Sequence, residues 1–227
     1  MLLTKLRSGT SHLHERVERA VGLAGRLGSL DTYGDLLARY YGFYHPLEDR
    51  LTALVGDAAG DIDLGPRLKT SLLVADLLSL GRTDEAIASL PLCGSLPSPT
   101  GLDETFGCLY VLEGATLGGQ IVRKEVMRLH GLTPDSGCAF FSSYGENVGP
   151  MWRGFCAALE AHALSHPETH HLVVGGGDDD LRLFRGMVRG LKTMGTGPAG
   201  CSRGKSPRVR RPHFPPERLR RAVPRRP

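Results

Sequence analysis

The chain is expected to fold as an all-α protein, on three observations. Apolar residues recur at three- and four-residue spacing through residues 1–165, the period of a helix face. Short alternating apolar and polar runs bounded by turns, the mark of strands, are scarce. Apolar residues make up 41% and charged residues 23% of 227 residues, which gives one domain enough material for a core.

A first helix is expected over about Leu2 to Val21, where Leu3, Leu6, Leu13, Val17 and Ala20 share a face and Gly22, Gly25 and Gly28 end the run. Asp31 then suits an N-cap for a long helix, DTYGDLLARYYGFYHPLEDRLTALV, with Tyr33, Leu36, Leu37, Tyr40, Tyr44, Leu47 and Leu51 as one stripe and Pro46 as a point of kinking. Pro66 is a suitable first-turn residue for a third helix reaching about Leu80, and a short fourth spans Thr83 to Ser89. The segment PLCGSLPSPTG, Pro91 to Gly101, is a loop by composition. LDETFGCLYVLEGATLGGQIVRKEVMRLHG follows, helical in pattern on both sides of a glycine-rich middle, and a last helix runs from about Asn147 to Ser165.

No run of about 18 uncharged apolar residues exists, and MLLTKLRSGT lacks the continuous apolar segment of a secretory signal, so no membrane span and a cytoplasmic location are expected. Cys93, Cys108, Cys138, Cys156 and Cys201 are widely spaced without a CxxC pair, and reduced thiols are the expectation. The formal charge of +4 conceals an uneven distribution. Residues 202–227 hold nine Arg, one Lys and one Glu, a net +9 that leaves −5 on residues 1–201.

Two constellations carry chemistry. His14 and Glu18 in LRSGTSHLHERVE lie four residues apart and hence one helical turn apart on one face. A carboxylate bonded to one imidazole nitrogen fixes the tautomer and leaves the other free for a metal; the same spacing also suits a plain surface pair. The second is Gly114, Gly118 and Gly119 in LEGATLGGQ. Each glycine inside a helix costs about 1 kcal/mol relative to alanine, so three call for compensation. A flat ligand lying close against a bent backbone is one; a tight helix crossing, or a loop between two helices, is another. LEGATLGGQ itself holds neither GxxxxGK[ST] nor GxGxxG, so this glycine segment is not one of the common phosphate or dinucleotide loops. His162, His166 and His170 repeat every four residues, but Pro167 interrupts the helix they would need for a shared metal, and an exposed helix end is expected there.

Together, LRSGTSHLHERVE and YVLEGATLGGQ resemble the two heme-contacting helices of heme oxygenases, and in particular of the bacterial subgroup associated with bacteriophytochromes. The likeness runs in order from about Leu6 to Val174 and includes YYGFYHPLE and YGENVGPMWRGFCAALE. It implies a heme oxygenase-like multi-helical bundle with heme between a proximal helix carrying His14, the iron ligand, and a kinked, glycine-rich distal helix bent at Gly114, Gly118 and Gly119. It implies that heme is both prosthetic group and substrate, opened with O2 and electrons to biliverdin, CO and ferrous iron. A neutral imidazole opposite the oxygen gives none of the strong electron push of a thiolate. Arg7, Tyr110 and Arg153 are the residues expected at the propionates. Many heme oxygenases carry a distal-helix aspartate that organises water, and Ala115 stands at that position here; Glu113 and Thr116 are candidates to replace it. The chain has no flavin or nicotinamide motif, so a reductase or ferredoxin is the expected electron donor, with a bacteriophytochrome as a possible bilin acceptor. A non-catalytic heme carrier or sensor is the rival reading, and a structural helical module without heme a third.

The domain is expected to cover 1–174. Residues 175–227 form an atypical, basic, Arg/Pro-rich tail, disordered by composition. Such a tail could meet nucleic acid or acidic membranes by charge alone, without specificity. It could also be the product of a frameshift near Gly175 to Gly177: one choice of codons for DDDLRLFRGMVRGL, read one base later, spells a threonine run, then an aromatic helical face, then a stop.

Overall fold

Helix α1, Leu30–Val55, begins where the Ser29 hydroxyl accepts the Thr32 backbone N–H at 3.2 Å, so the cap is Ser29 and the expected cap residue Asp31 lies in the first turn. This computed structural model describes residues 2–4, 6, 27–55, 62–96, 98–175 and 177. All of them belong to one compact unit, Met1–Met194; a second unit, Gly195–Pro227, lies outside the described residues. Among the described residues the regular elements are all helical, and no helix is long and apolar enough to cross a membrane.

The aromatic stripe of α1 is buried throughout, and Tyr41 and Phe43 are buried with it, so the helix is enclosed on most sides over residues 40–44. Pro46 lies inside α1 and cannot donate to the Gly42 carbonyl one turn earlier. That carbonyl instead accepts the Cys93 N–H at 2.8 Å. A Cβ on Gly42 would lie 2.4 Å from the Pro91 carbonyl oxygen, so this glycine is what lets the 91–93 loop touch the helix.

Pro66 starts a single 3-10 turn, Gly65–Arg67, rather than the expected helix. The chain then extends at Leu68 (ψ 131°), and the Lys69 and Thr70 backbone N–H groups donate to the two oxygens of buried Glu48 at 2.7 and 3.0 Å. Helix α2, Thr70–Ser79, follows and places Leu73 and Leu77 in the core; α3, Asp84–Ala88, is capped by the Thr83 hydroxyl accepting the Ala86 N–H at 3.2 Å.

Helix α4, Leu102–His130, runs for 29 residues, unbroken through all three glycines, which removes the reading of that segment as a loop. Asp103 and Glu104 occupy its first turn, Arg128 and His130 its last, and left-handed Gly131 (φ 65°) ends it, each matched to the helix dipole or the C-cap. Helix α5, Val148–Ser165, brings Phe155 and Leu159 into the core beside Phe106 of α4. The connector between them is held by Asp76 of α2, which accepts the Ala139 and Phe140 N–H groups at 2.7 and 2.9 Å. Phe140 is thereby set 5.1 Å from the Tyr40 ring and 5.2 Å from that of Tyr44, and Phe141 touches the glycine segment of α4. Cys93, Cys108, Cys138 and Cys156 are free thiols, and Cys201 lies outside the described residues.

Candidate functional site

Gly114 and Gly118 are four residues apart and share one face of α4. Among the described residues a Cβ on either would meet no atom within 4 Å. Among the described residues no helix crossing accounts for either glycine, and Gly118 is exposed. The neighbouring side chains on that face, Leu117 and Ile121, are apolar and exposed, Ile121 to 65%. Gly119 points elsewhere: its Cβ would lie 3.3 Å from the Phe141 ring, so it is a packing glycine.

On the other, buried side of α4 is a polar cluster that sequence reasoning did not assemble. Glu113 is 2% exposed, and its two oxygens receive the Tyr144 hydroxyl at 2.7 Å and the Arg67 Nη1 at 3.0 Å. The Arg67 contact is an ion pair by distance without a directed N–H···O angle, and the buried Arg67 Nε has no acceptor. The guanidinium lies 5.6 Å over the Phe155 ring. Lys69 is buried with its Nζ against the Thr116 hydroxyl, 3.9 Å from Glu113 and 5.0 Å over the Tyr144 ring. Burial pulls the Lys69 ammonium down to about 8 despite Glu113 and Glu48, which favour its charge. Tyr144 is the one described non-glycine residue with positive φ (65°), a strained setting for an aromatic residue that aims its hydroxyl at Glu113. Burial and the adjacent Glu113 carboxylate push the Tyr144 phenol well above its ordinary value.

Of the residues expected at a ligand, His14, Glu18 and Arg7 lie outside the described residues. Tyr110 is buried with its ring 5.6 Å from Trp152, and Arg153 is exposed one residue further along α5. Glu113 and Thr116, three residues apart on one face of α4, meet at Lys69. The end of α5 is exposed from Leu164 to Glu168, His166 included, as expected, but the series does not share that exposure throughout. His162 is buried, its Nε2 2.8 Å from Asp103 and its ring stacked on Phe106 at 4.6 Å. Its neighbours turn to backbone: His166 Nδ1 lies 3.1 Å from the His162 carbonyl, and His170 Nε2 2.9 Å from that of Ala163. Burial pushes the Asp103 carboxyl up, but hydrogen bonds from Thr169 and His162 outweigh it and hold it below the usual range. Arg67 and Lys69 left no mark in sequence, since basic residues before a helix normally face water.

The bare face of α4, flanked by exposed Leu117 and Ile121, fits a flat, largely apolar ligand. The class this fold and face define is an all-helical bundle with a glycine-bared helix face available to a ligand. The family model for heme oxygenase matches residues 1–190, and the chain belongs to the heme oxygenase family. It is 27% identical to the heme oxygenase PigA of Pseudomonas aeruginosa over 185 residues, 79% of this chain and 87% of that protein. Against a heme oxygenase of Xanthomonas campestris it is 31% identical over 151 residues, 64% of this chain and 82% of the other. The fold matches the NO- and CO-bound heme oxygenase of Neisseria meningitidis with a TM-score of 0.70 at 20% identity, covering 84% of this chain and 91% of that one. For the Leptospira interrogans heme oxygenase the TM-score is 0.69 at 20% identity, with 83% and 98% covered. The protein is accordingly an enzyme that binds heme as substrate, and Gly114 and Gly118 lie on its glycine-rich distal helix.

Proposed function

We propose that this chain opens heme to biliverdin with release of CO and ferrous iron, with His14 as the iron ligand and the Gly114 and Gly118 face of α4 on the opposite side of the ring. The observation that carries the site is the clear space around both glycines. Heme, as substrate, supplies the iron that binds O2 and the ring that is broken. The protein supplies orientation and exclusion of water. Main chain without Cβ atoms lets α4 approach the ring plane, Leu117 and Ile121 cover apolar edge, and Glu18 fixes the tautomer of His14. Gly119 serves the site indirectly, by seating Phe141 against α4. Arg7 and Arg153 take the propionates; Tyr110, buried against Trp152, shapes the wall near them. Electrons come from a separate reductase or ferredoxin, and a bacteriophytochrome apoprotein is the acceptor we propose for the bilin.

The test is direct. Ferric heme added to the purified chain should give a Soret band that His14→Ala weakens or shifts. Ascorbate, or a ferredoxin with its reductase, should then bleach that band in air as a biliverdin spectrum appears. A Soret band that survives reductant and O2 would make the chain a heme carrier; no Soret band would remove the heme reading altogether.

A further inference from the structure

Among the buried titratable groups the mechanism above does not use is the ammonium of Lys69. Lys69 enters from the segment before α2 and is nearly sealed, 2% exposed. Glu113 and Thr116 face it from α4, Glu48 from α1, Tyr144 from the connector after α4, and Arg67 from its own segment. Thr116 is in sequence midway between Gly114 and Gly118, so the Lys69 Nζ contacts the very turn of helix whose other side is bare. The Thr116 hydroxyl donates to the Leu112 carbonyl at 3.1 Å and therefore accepts from Lys69. Its orientation is fixed by a cation rather than left to water.

Resting on the heme-site reading, we propose that Lys69 is the positioning charge of the distal helix: its ammonium sets the electrostatic field on the Gly114 and Gly118 face, where Ala115 offers no polar group. Three features support it. A buried ammonium in a low-dielectric interior acts over a longer range than an exposed one. Tyr144 pays a strained backbone to cover it. Arg67 and Lys69 bring two cations against one carboxylate of α4, Glu113, while Glu48 acts on Lys69 from the α1 side with its oxygens bonded to the Lys69 and Thr70 N–H groups and the Thr70 hydroxyl. Because burial holds Lys69 near 8, this charge turns off within an accessible range of pH.

The ferrous heme complex with CO provides a readout apart from turnover, because a positive charge near bound CO lowers its stretching frequency. In the wild-type protein the infrared C–O band should move to higher wavenumber as pH rises through about 8. Lys69→Arg, charged throughout, should hold the low-frequency band at every pH; Lys69→Met should hold the high-frequency band. A wild-type band unmoved between roughly pH 7 and 9.5, or a transition that persists in Lys69→Arg, overturns the proposal. If Lys69→Met does not fold, the wild-type titration and Lys69→Arg still decide it. Failure to form any heme–CO complex would instead remove the heme-site reading on which the inference rests.

Discussion

At the scale of single residues, the sequence displayed the face of α4 but not the groups beneath it. Glu113 and Thr116 were visible as candidates because they flank a glycine motif. Lys69, Arg67 and Tyr144 were not, because their importance comes from burial, and burial of such groups is decided by contacts some 30 to 75 residues away in the chain. Asp76 is a similar case, and it gives the clearest pH prediction. Burial raises its carboxyl to about 6, against two backbone N–H donors that pull it down. The proton is therefore bound more tightly in the folded than in the unfolded chain, whose value is near 3.8. The stabilisation is fully present below that unfolded value and is lost as pH rises through about 6. Two pKa units correspond to about 2–3 kcal/mol. Urea midpoints of the wild type should thus fall relative to Asp76→Asn between about pH 4 and 6. Parallel curves for the two proteins would show that Asp76 does not titrate abnormally.

At the scale of elements, helical periodicity located α1, α3, α4 and α5 to within a residue or two, and it failed where a side chain captured the backbone. Pro66 promised a helix start, yet Glu48 takes the N–H groups of Lys69 and Thr70 and delays α2 to Thr70. The glycines of α4 looked alike in sequence and differ in space. Gly114→Ala and Gly118→Ala meet nothing within 4 Å and relieve a helix penalty, so each should stabilise the heme-free protein by up to about 1 kcal/mol. Gly118→Leu should also fold, yet lower heme affinity at least tenfold by filling the bare face. Thermal melts without heme and a heme titration check the pair. A leucine variant that binds heme normally would show that the ligand lies elsewhere. Gly42→Ala should behave in the opposite way, because its Cβ would strike the Pro91 carbonyl at 2.4 Å. The 91–93 loop must then lift from α1 and release the Gly42 carbonyl, which Pro46 cannot serve. A loss of about 2–3 kcal/mol is expected, with heme binding affected less than stability.

At the scale of the whole molecule, the first residues of the chain link stability to the ligand. Leu2 and Leu6 are fully buried, the Leu3 N–H donates to Glu160 of α5 at 3.2 Å, and a Cβ on Gly177 would touch Leu6 at 3.5 Å and the Gly107 carbonyl of α4 at 3.4 Å. Leu3 is thus tied to α5, and Leu6 packs with Gly177, which lies against Gly107 of α4. Leu6→Ala should cost about 2–5 kcal/mol as a core truncation. If those contacts also hold His14 in register with the bare face, the same substitution should weaken heme binding more than Leu73→Ala, a truncation of comparable burial in α2. Heme stabilises only the folded form, so the rise in melting temperature on adding heme reports that coupling. The rise should be smaller in Leu6→Ala than in Leu73→Ala at the same heme concentration. Equal rises would mean that the amino-terminal packing supports the fold without positioning the ligand.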